Sequence, residues 1–187
     1  TIQGDLPTTS KWYLRYLKNN PADTDQGLHP QNIFRLVNIS KKYQDSVVSA
    51  YFKIKKDNLS LSPNRNQSNG LFLMSRYTDA NNLYYIGYRV DGNIVVKKKK
   101  AGTYYTLSQK AILVIDKSYG DLINPNLLTH NIWLGLKAEI VNNSDNSVNI
   151  KVFTDIGKTG KWSEVMSTVD DGVRYGGEAH TGSSFVG

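Results

Sequence analysis

Hydrophobic and polar positions alternate with a period of two along many short segments of this chain, which is typical of half-buried β-strands. Four such segments follow one another between residues 69 and 107, separated by short groups of turn-forming residues. The remaining predicted strands are residues 33–37, 47–55, 131–141, 147–154 and 162–168. Many short strands with turns at short intervals predict an all-β protein, an antiparallel β-sandwich or barrel.

Turn residues place the hairpins. Asp91-Gly92 separates two strand-like runs, which predicts a β-hairpin with a type I′ turn and positive φ at both residues. Ala101-Gly102 predicts the next turn, and residues 142–146 predict another. Helix is expected only at residues 10–18 and 108–117.

A chain of 187 residues fits one domain, so we expect a single β-sandwich over residues 1–187. Residues 1–30 differ in pattern and are expected to form an N-terminal extension that packs on the sandwich. The last residues, Ser184-Phe185-Val186-Gly187, look like the start of a strand. The chain starts without Met or a signal peptide, which suggests a mature or excised form.

The net charge of +7 favours an anionic partner: an acidic polysaccharide, nucleic acid or a membrane surface. Simple solubility also accounts for such a charge. No apolar run is long enough to span a bilayer. The chain has no cysteine, which excludes disulfides, thiolate metal sites and a cysteine nucleophile. A cysteine-free sandwich rich in Asn and Thr suits a secreted or cell-surface protein.

The strands between residues 69 and 104 also carry a recognisable motif. Its residues are Asn69, Gly70, Arg76, Tyr77, Asp79, Asn82, Tyr84, Tyr85, Tyr88, Arg89, Asp91, Gly92, Ile94, Lys97, Lys98, Lys99, Gly102 and Tyr104. This pattern resembles concanavalin A-like lectin/glucanase domains, and most of all the laminin-G-like jelly rolls found beside polysaccharide-degrading enzymes, including alginate-lyase-like domains. The resemblance covers residues 33–187 and implies a jelly-roll sandwich. Such domains usually end with one more strand, so the resemblance also implies a last strand after residue 187. The superfamily holds hydrolases, lyases, lectins and non-catalytic modules, so the resemblance alone assigns no activity.

Glycoside hydrolysis normally needs two carboxylates flanking the bond, which on this fold would form a Glu-x-Asp-x-Glu run along a strand. No such run occurs, and Glu139 and Glu164 stand alone in their predicted strands. The sequence therefore argues against a glycoside hydrolase.

A polysaccharide lyase needs a cation to neutralise the uronate carboxylate and a side chain to take the α-proton. Tyr85, Gly87 and Arg89 share one face of their strand, with Gly87 expected to leave space for a uronate. If the protein is a lyase, Arg89 would neutralise the carboxylate, and Tyr85 and Tyr104 would be the catalytic tyrosines. The fragment 100–104 is similar to the K-A-G-x-Y piece of one alginate lyase family, whose companion motifs are absent.

The first hypothesis is nevertheless an extracellular carbohydrate-binding module for an acidic polysaccharide. Its expected ligand-binding residues are Arg76, Tyr85, Arg89, Lys97, Lys99 and Tyr104. Lysines 97–100 would add long-range attraction, although they also fit a solvated hairpin end that protects a sheet edge. Lys97 to Lys100 beside Tyr104 also permit nucleic-acid binding, which we disfavour. Trp133, in a strongly apolar segment, is expected in the core, and Trp162 on the surface.

Metal chemistry has weaker signals. His29, His130 and His180 form no metal-binding spacing. A structural calcium is the possible cofactor, with Asp170 and Asp171 as candidate ligands, though without recognisable ligand spacing.

The third functional hypothesis is a cell-surface or filament subunit that self-associates through an edge strand.

Overall fold

The computed structural model describes residues 8–19, 36–37, 43–57, 59, 65–112, 117–172 and 183–186. This part of the chain contains one helix and ten strands. They are α1 (Lys11–Asn19), β1 (Leu36–Val37), β2 (Ser46–Phe52), β3 (Gly70–Asp79), β4 (Asn82–Arg89), β5 (Asn93–Lys100), β6 (Thr103–Ala111), β7 (Leu134–Asn142), β8 (Val148–Ile156), β9 (Ser163–Asp170) and β10 (Ser183–Val186).

The strands form two sheets. Six of them lie in the order β1-β10-β3-β4-β5-β6 and four in the order β2-β7-β8-β9. Each neighbouring pair in these orders is antiparallel. The two sheets pack against each other, which confirms the predicted antiparallel sandwich with little helix.

One of the two predicted helices is confirmed and the other is not. The helix expected at residues 10–18 is confirmed as α1. The helix expected at residues 108–117 is wrong for residues 108–111, because β6 continues to Ala111. Ser108 pairs with Val96 and Lys110 pairs with Ile94, so these residues complete the ladder with β5. Pairing with a neighbouring strand overrides the weak local helix preference.

One apolar core fills the space between the sheets. The six-stranded sheet contributes Leu73, Tyr84, Ile86, Tyr88, Ile94, Val96 and Leu107, and the four-stranded sheet contributes Leu134, Leu136, Ala138, Ile140, Val148, Ile150, Val152 and Met166. Full burial of one large aliphatic side chain is worth about 1.5–3 kcal/mol, so this cluster dominates the stability of the sandwich. Trp133 was expected here, but it precedes β7 and is 37% exposed.

The outer face of the six-stranded sheet holds a second apolar cluster. It consists of Phe72, Met74, Leu83 and Val95, with Tyr77 and Tyr85 packed beside them. The sheet is therefore apolar on both sides around β3, β4 and β5. This second cluster is the floor on which the candidate site lies.

The sandwich interior also contains charge. Lys98 and Asp170 are both fully buried, and the Lys98 Nζ lies 2.8 Å from the Asp170 Oδ2. The Tyr84 hydroxyl donates to the same oxygen at 2.5 Å. The lysine run is therefore not simply a solvated hairpin end, because Lys98 points between the sheets while Lys97 and Lys99 point outward.

Two hairpin turns fix the register of β4, β5 and β6. The Asp91-Gly92 hairpin is confirmed, but its turn is not type I′: Gly92 has φ 82°, while Asp91 is not among the residues with positive φ. The Gly92 N–H donates to the Arg89 carbonyl at 3.0 Å, as in a three-residue loop that ends in a left-handed glycine. Ala101 and Gly102 both have positive φ, 47° and 83°, as a type I′ turn requires.

The strand expected at the end of the chain is confirmed: β10 pairs with β1 on one side and β3 on the other. A further strand after residue 187 stays a prediction. So does the packing of residues 1–30, most of which lie outside the described residues. Among the described helices there is none whose length and apolarity would let it cross a membrane.

Candidate functional site

Four of the predicted contact residues meet on the outer face of the six-stranded sheet. Tyr85 of β4 lies opposite Lys97 of β5, and Lys99 of β5 lies opposite Tyr104 of β6. Directly paired residues share a face of a sheet, and so do Lys97 and Lys99, two positions apart. We call Tyr85, Lys97, Lys99 and Tyr104 the cation–aromatic face.

The rings of this face form a continuous row with Phe72. The ring centres of Phe72 and Tyr85 are 5.3 Å apart at an interplanar angle of 80°. Those of Tyr85 and Tyr104 are 5.8 Å apart at 78°. Such edge-to-face pairs are each worth about 0.5–1.5 kcal/mol beyond the area they bury. The row runs from the apolar floor at Phe72 to solvent at Tyr104, which is 57% exposed.

Ammonium groups lie over two of these rings. The Lys99 Nζ is 4.7 Å from the centre of the Tyr104 ring, and the Lys97 Nζ is 5.9 Å from that of Tyr85. Burial lowers the pKa of Lys97, and the nearby Arg89 lowers it further, while Asp91 raises it. A partly desolvated cation gains more from an anionic partner than one surrounded by water.

Tyr85 is a poor proton acceptor in this setting. Burial, and next the proximity of Tyr104, raise its pKa, while Arg89 opposes that shift. The phenol therefore stays protonated at neutral and moderately alkaline pH. Tyr85 can donate a hydrogen bond and offer its ring, but the base role considered for a lyase needs the phenolate.

Arg89 is engaged within the protein. Its Nη2 lies 2.7 Å from the Asp91 Oδ2, its Nη1 donates to the Gln109 Oε1 at 3.1 Å, and its Nε donates to the Gln67 carbonyl at 3.2 Å. The residue is 6% exposed. Its guanidinium holds the β4–β5 turn and the edge strand together, so a uronate would have to displace Asp91 to reach it.

The space expected over Gly87 is filled. A Cβ at this position would lie 2.1 Å from the Leu71 carbonyl oxygen and 2.7 Å from the Phe72 Cδ1. Gly87 thus lets Phe72 lie close to β4, and no cleft opens between Tyr85 and Arg89 there. Phe72 was missed from the sequence, although it occupies the outward-facing position of β3 that pairs with Gly87.

Arg76 lies away from the cation–aromatic face. It has φ 50° at an irregularity in the β3–β4 register, and it is fully buried. Its Nε donates to the Gln44 carbonyl at 3.0 Å, and its Nη1 donates to the Asn142 Oδ1 at 2.7 Å. Burial lowers its pKa, against the opposing effects of Tyr84, Asp45 and Asp170. Arg76 ties β3 to the ends of β2 and β7.

Asp170, one of the two candidate calcium ligands, is engaged by groups of the protein itself. The Asp170 Oδ1 accepts hydrogen bonds from the Lys98 Nζ at 2.8 Å and the Gly172 N–H at 3.1 Å, and Tyr84 holds the other oxygen. Asp171 is exposed. Within the described residues, no three His, Asp or Glu side chains gather as metal ligands would. His130 pairs with Asp57; His29 and His180 lie outside the described residues.

Comparison of the chain with protein-family models, with curated proteins and with solved structures finds no match. The two packed sheets establish an antiparallel sandwich, while the concanavalin A-like resemblance stays a prediction. The function has to be argued from the geometry of the surface.

Proposed function

We propose that this domain binds an acidic polysaccharide through the cation–aromatic face and does not cleave it. The observation that carries the proposal is the exposed Tyr104 ring, edge-to-face with Tyr85, beneath the Lys99 ammonium group. The extracellular setting that such a ligand implies is part of the same proposal.

The chemistry of a uronate polymer suits this arrangement. The C–H face of a sugar ring packs on an aromatic ring, whose hydroxyl can bond to the sugar hydroxyls. The carboxylates of successive residues can meet Lys97 and Lys99, which stand two positions apart on one strand. The net charge of +7 adds long-range attraction for a polyanion, and the paired lysines give it a local target.

Two observations favour binding over β-elimination. The raised pKa of Tyr85 leaves it protonated, so it does not serve as the base. The Arg89 guanidinium is already paired with Asp91 and two further partners, so it does not neutralise a substrate carboxylate without breaking those bonds. Tyr85 and Arg89 are therefore poorly suited to the roles that β-elimination would give them.

The test is a calorimetric titration with polymannuronate, polyguluronate, polyglucuronate, polygalacturonate and chondroitin sulfate, with dextran as the neutral polymer. We expect at least one acidic polymer to bind and dextran not to bind. Tyr104→Ala should weaken that binding by about tenfold, which corresponds to about 1.4 kcal/mol. Tyr43→Ala is the matched control, because Tyr43 is also exposed and lies before β2.

The lysines are tested by the dependence of binding on salt. The double variant Lys97→Gln/Lys99→Gln should weaken binding and flatten its dependence on sodium chloride between about 0.05 and 0.5 M. Lys56→Gln, at an exposed position outside the face, should change neither. The proposal fails if no acidic polymer binds, or if Tyr104→Ala behaves like Tyr43→Ala. A rise in the ultraviolet absorbance of unsaturated uronates would show turnover and refute the non-catalytic part.

A further inference from the structure

The outer face of the four-stranded sheet carries a second group of aromatic side chains. Tyr51 lies in β2, Trp133 precedes β7, Phe153 lies in β8 and Trp162 precedes β9. Tyr51 and Trp162 have ring centres 5.3 Å apart at 41°. We call these four residues the aromatic platform. It lies on the opposite layer of the sandwich from the cation–aromatic face.

A glycine lets one ring of the platform lie across the sheet. Gly135 pairs with Tyr51 on one side and with Asp155 on the other. A Cβ on Gly135 would lie 2.7 Å from the Tyr51 Cε1, so the missing side chain makes room for the ring. The Tyr51 hydroxyl crosses β7 and donates to the Asp155 Oδ2 at 2.6 Å.

Asp155 also holds the loop that borders the platform. Its Oδ1 accepts the Thr159 N–H at 2.9 Å and the Thr159 hydroxyl at 2.7 Å, and its Oδ2 accepts the Gly160 N–H at 2.8 Å. The residue is 2% exposed. One buried carboxylate thus fixes both the Tyr51 ring and the loop, so the surface is preorganised.

The loop places Lys158 against two rings. Lys158 has φ 59°, a left-handed conformation that costs a residue other than glycine about 1–2 kcal/mol. Its Nζ lies 5.4 Å from the Tyr51 ring centre and 5.0 Å from that of Trp133. Backbone strain of this kind concentrates where a side chain has a functional position to hold.

Two more lysines complete the charge of the platform. The Lys53 Nζ is 5.6 Å from the Trp133 ring centre. The Lys137 Nζ is 4.0 Å from that of Phe153 and 5.7 Å from that of Trp162, and it also pairs with Glu139 at 3.2 Å. The Asp155 carboxylate is covered by its hydrogen-bond partners Tyr51, Thr159 and Gly160 and exposes little negative charge. One exposed ring, Trp133, and three half-buried rings thus lie close to several ammonium groups. Together they present a positive surface that complements an anionic sugar.

We propose that the aromatic platform is a second binding site for an acidic polysaccharide, with sugar rings packed on Trp133, Tyr51 and Trp162 and their carboxylates or sulfates on Lys53, Lys137 and Lys158. The platform and the cation–aromatic face point away from each other across the sandwich. One domain can then hold two polymer chains and link them. This linking rests on the proposed function, whereas binding at the platform does not.

Tryptophan fluorescence reports on the platform separately from the other face, where the site residues are Tyr and Lys. In a Trp12→Phe background, Trp133 and Trp162 are the only tryptophans of the chain. The probes are saturated hexasaccharides of guluronate, mannuronate and glucuronate. We expect the fluorescence to change on titration. Lys158→Gln should raise the dissociation constant obtained from this change by about tenfold. Trp133→Ala, in which Trp162 alone reports, should raise it by a similar factor. Lys56→Gln is the control, and Tyr104→Ala should leave the response intact.

Calorimetry of the same hexasaccharides separates the two proposals. Two ligands per protein, one of them bound at least about tenfold more weakly in Tyr104→Ala and the other in Lys158→Gln/Trp133→Ala, would support both sites. One ligand, weakened in Tyr104→Ala and giving no fluorescence response, would overturn the second site and leave the proposed function standing. One ligand, weakened only in the platform variant, would support the second site and refute binding at the cation–aromatic face. No binding at all would overturn both.

Linking of polymer chains is measured by light scattering with a long polyuronate. The wild-type protein should raise the scattering above that of the polymer and protein alone, and each single-face variant should abolish that rise while still binding hexasaccharide. Equal scattering by the wild type and by both variants would overturn the linking.

Discussion

Lys98 and Asp170 form an ion pair in the interior of the sandwich. The Lys98 Nζ lies 2.8 Å from each oxygen of the Asp170 carboxylate, and neither side chain is exposed. Lys98 belongs to β5 of the six-stranded sheet and Asp170 to β9 of the four-stranded sheet. The pair therefore joins the two layers directly, with the Tyr84 hydroxyl as a third partner.

Removing one member of this pair should destabilise the domain strongly. Lys98→Met or Asp170→Asn leaves a buried charge without its partner, which costs about 3–5 kcal/mol. The double variant Lys98→Met/Asp170→Leu leaves neither charge and should lose much less. The measurement is the free energy of unfolding in urea, with Lys56→Met as the exposed control. Single variants as stable as this control would show that the pair does not hold the layers together.

The close packing at Gly87 gives a second stability prediction. Gly87→Ala would place a Cβ within 2.1 Å of the Leu71 carbonyl oxygen, so β3 and β4 must move apart. We expect a loss of about 1–3 kcal/mol, as for overpacked sites. Gly120→Ala is the matched control, because nothing lies within 4 Å of its would-be Cβ. If the two variants have the same midpoint of thermal unfolding, the described contact of Phe72 with β4 is wrong.

The sequence predicted the fold and part of the site for identifiable reasons. A period of two assigns each strand residue to a face, and the turns at Gly92 and Gly102 fix which residues pair. The predicted two-residue turn at Asp91-Gly92 would have placed Tyr85 opposite Lys98, whereas the three-residue loop places it opposite Lys97. Periodicity and turns also carry no information on how far a side chain is buried, so the engagement of Arg89 with Asp91 was not expected.

Other residues depend on features that a single strand does not reveal. Arg76 sits at a bulge with positive φ, which breaks the alternation on which its predicted position rested. Lys98 meets a partner 72 positions along the chain, and no local pattern signals that contact. Trp133 was expected in the core because its segment is apolar. Trp133 alternates with the inward-facing Leu134 and Leu136, which assigns it to the outer face.

The hydrogen bonds that Asp155 accepts from the platform loop should make a pH-dependent contribution to the free energy of unfolding. Burial alone would raise the pKa of Asp155, but hydrogen bonds from Tyr51, Thr159 and Gly160 lower it from 3.8 to about 2. A carboxylate whose pKa is lower in the folded protein stabilises it above the unfolded value and loses this effect as pH falls through the folded value. The contribution should therefore be complete above about pH 4 and disappear towards pH 2.

The check compares the unfolding free energy of the wild type with that of Asp155→Asn between neutral pH and about pH 2. The wild type should be more stable at neutral pH, and the difference should shrink as pH falls through this window. The fluorescence of Trp133 and Trp162, in the Trp12→Phe background, should change over the same range. A constant difference down to the lowest pH would contradict the described network.

The protonation state of Tyr85 distinguishes binding from catalysis. Because burial raises its pKa, wild type and Tyr85→Phe should release the same number of tyrosine protons in an ultraviolet titration up to about pH 11. Tyr85→Phe keeps the ring and should bind the polysaccharide within about twofold of the wild type. One extra tyrosinate in the wild type near pH 10 would restore Tyr85 as a candidate base.

The most direct test of polysaccharide recognition is an amide correlation spectrum of isotope-labelled protein, recorded during titration with the acidic hexasaccharide that binds best. Our account predicts that the peaks that shift belong to residues around Lys97 and Lys99 in β5 and Tyr104 in β6, and that Tyr104→Ala suppresses these shifts. Spectra that stay unchanged with every acidic hexasaccharide, or shifts that leave β5 and β6 untouched, would contradict it.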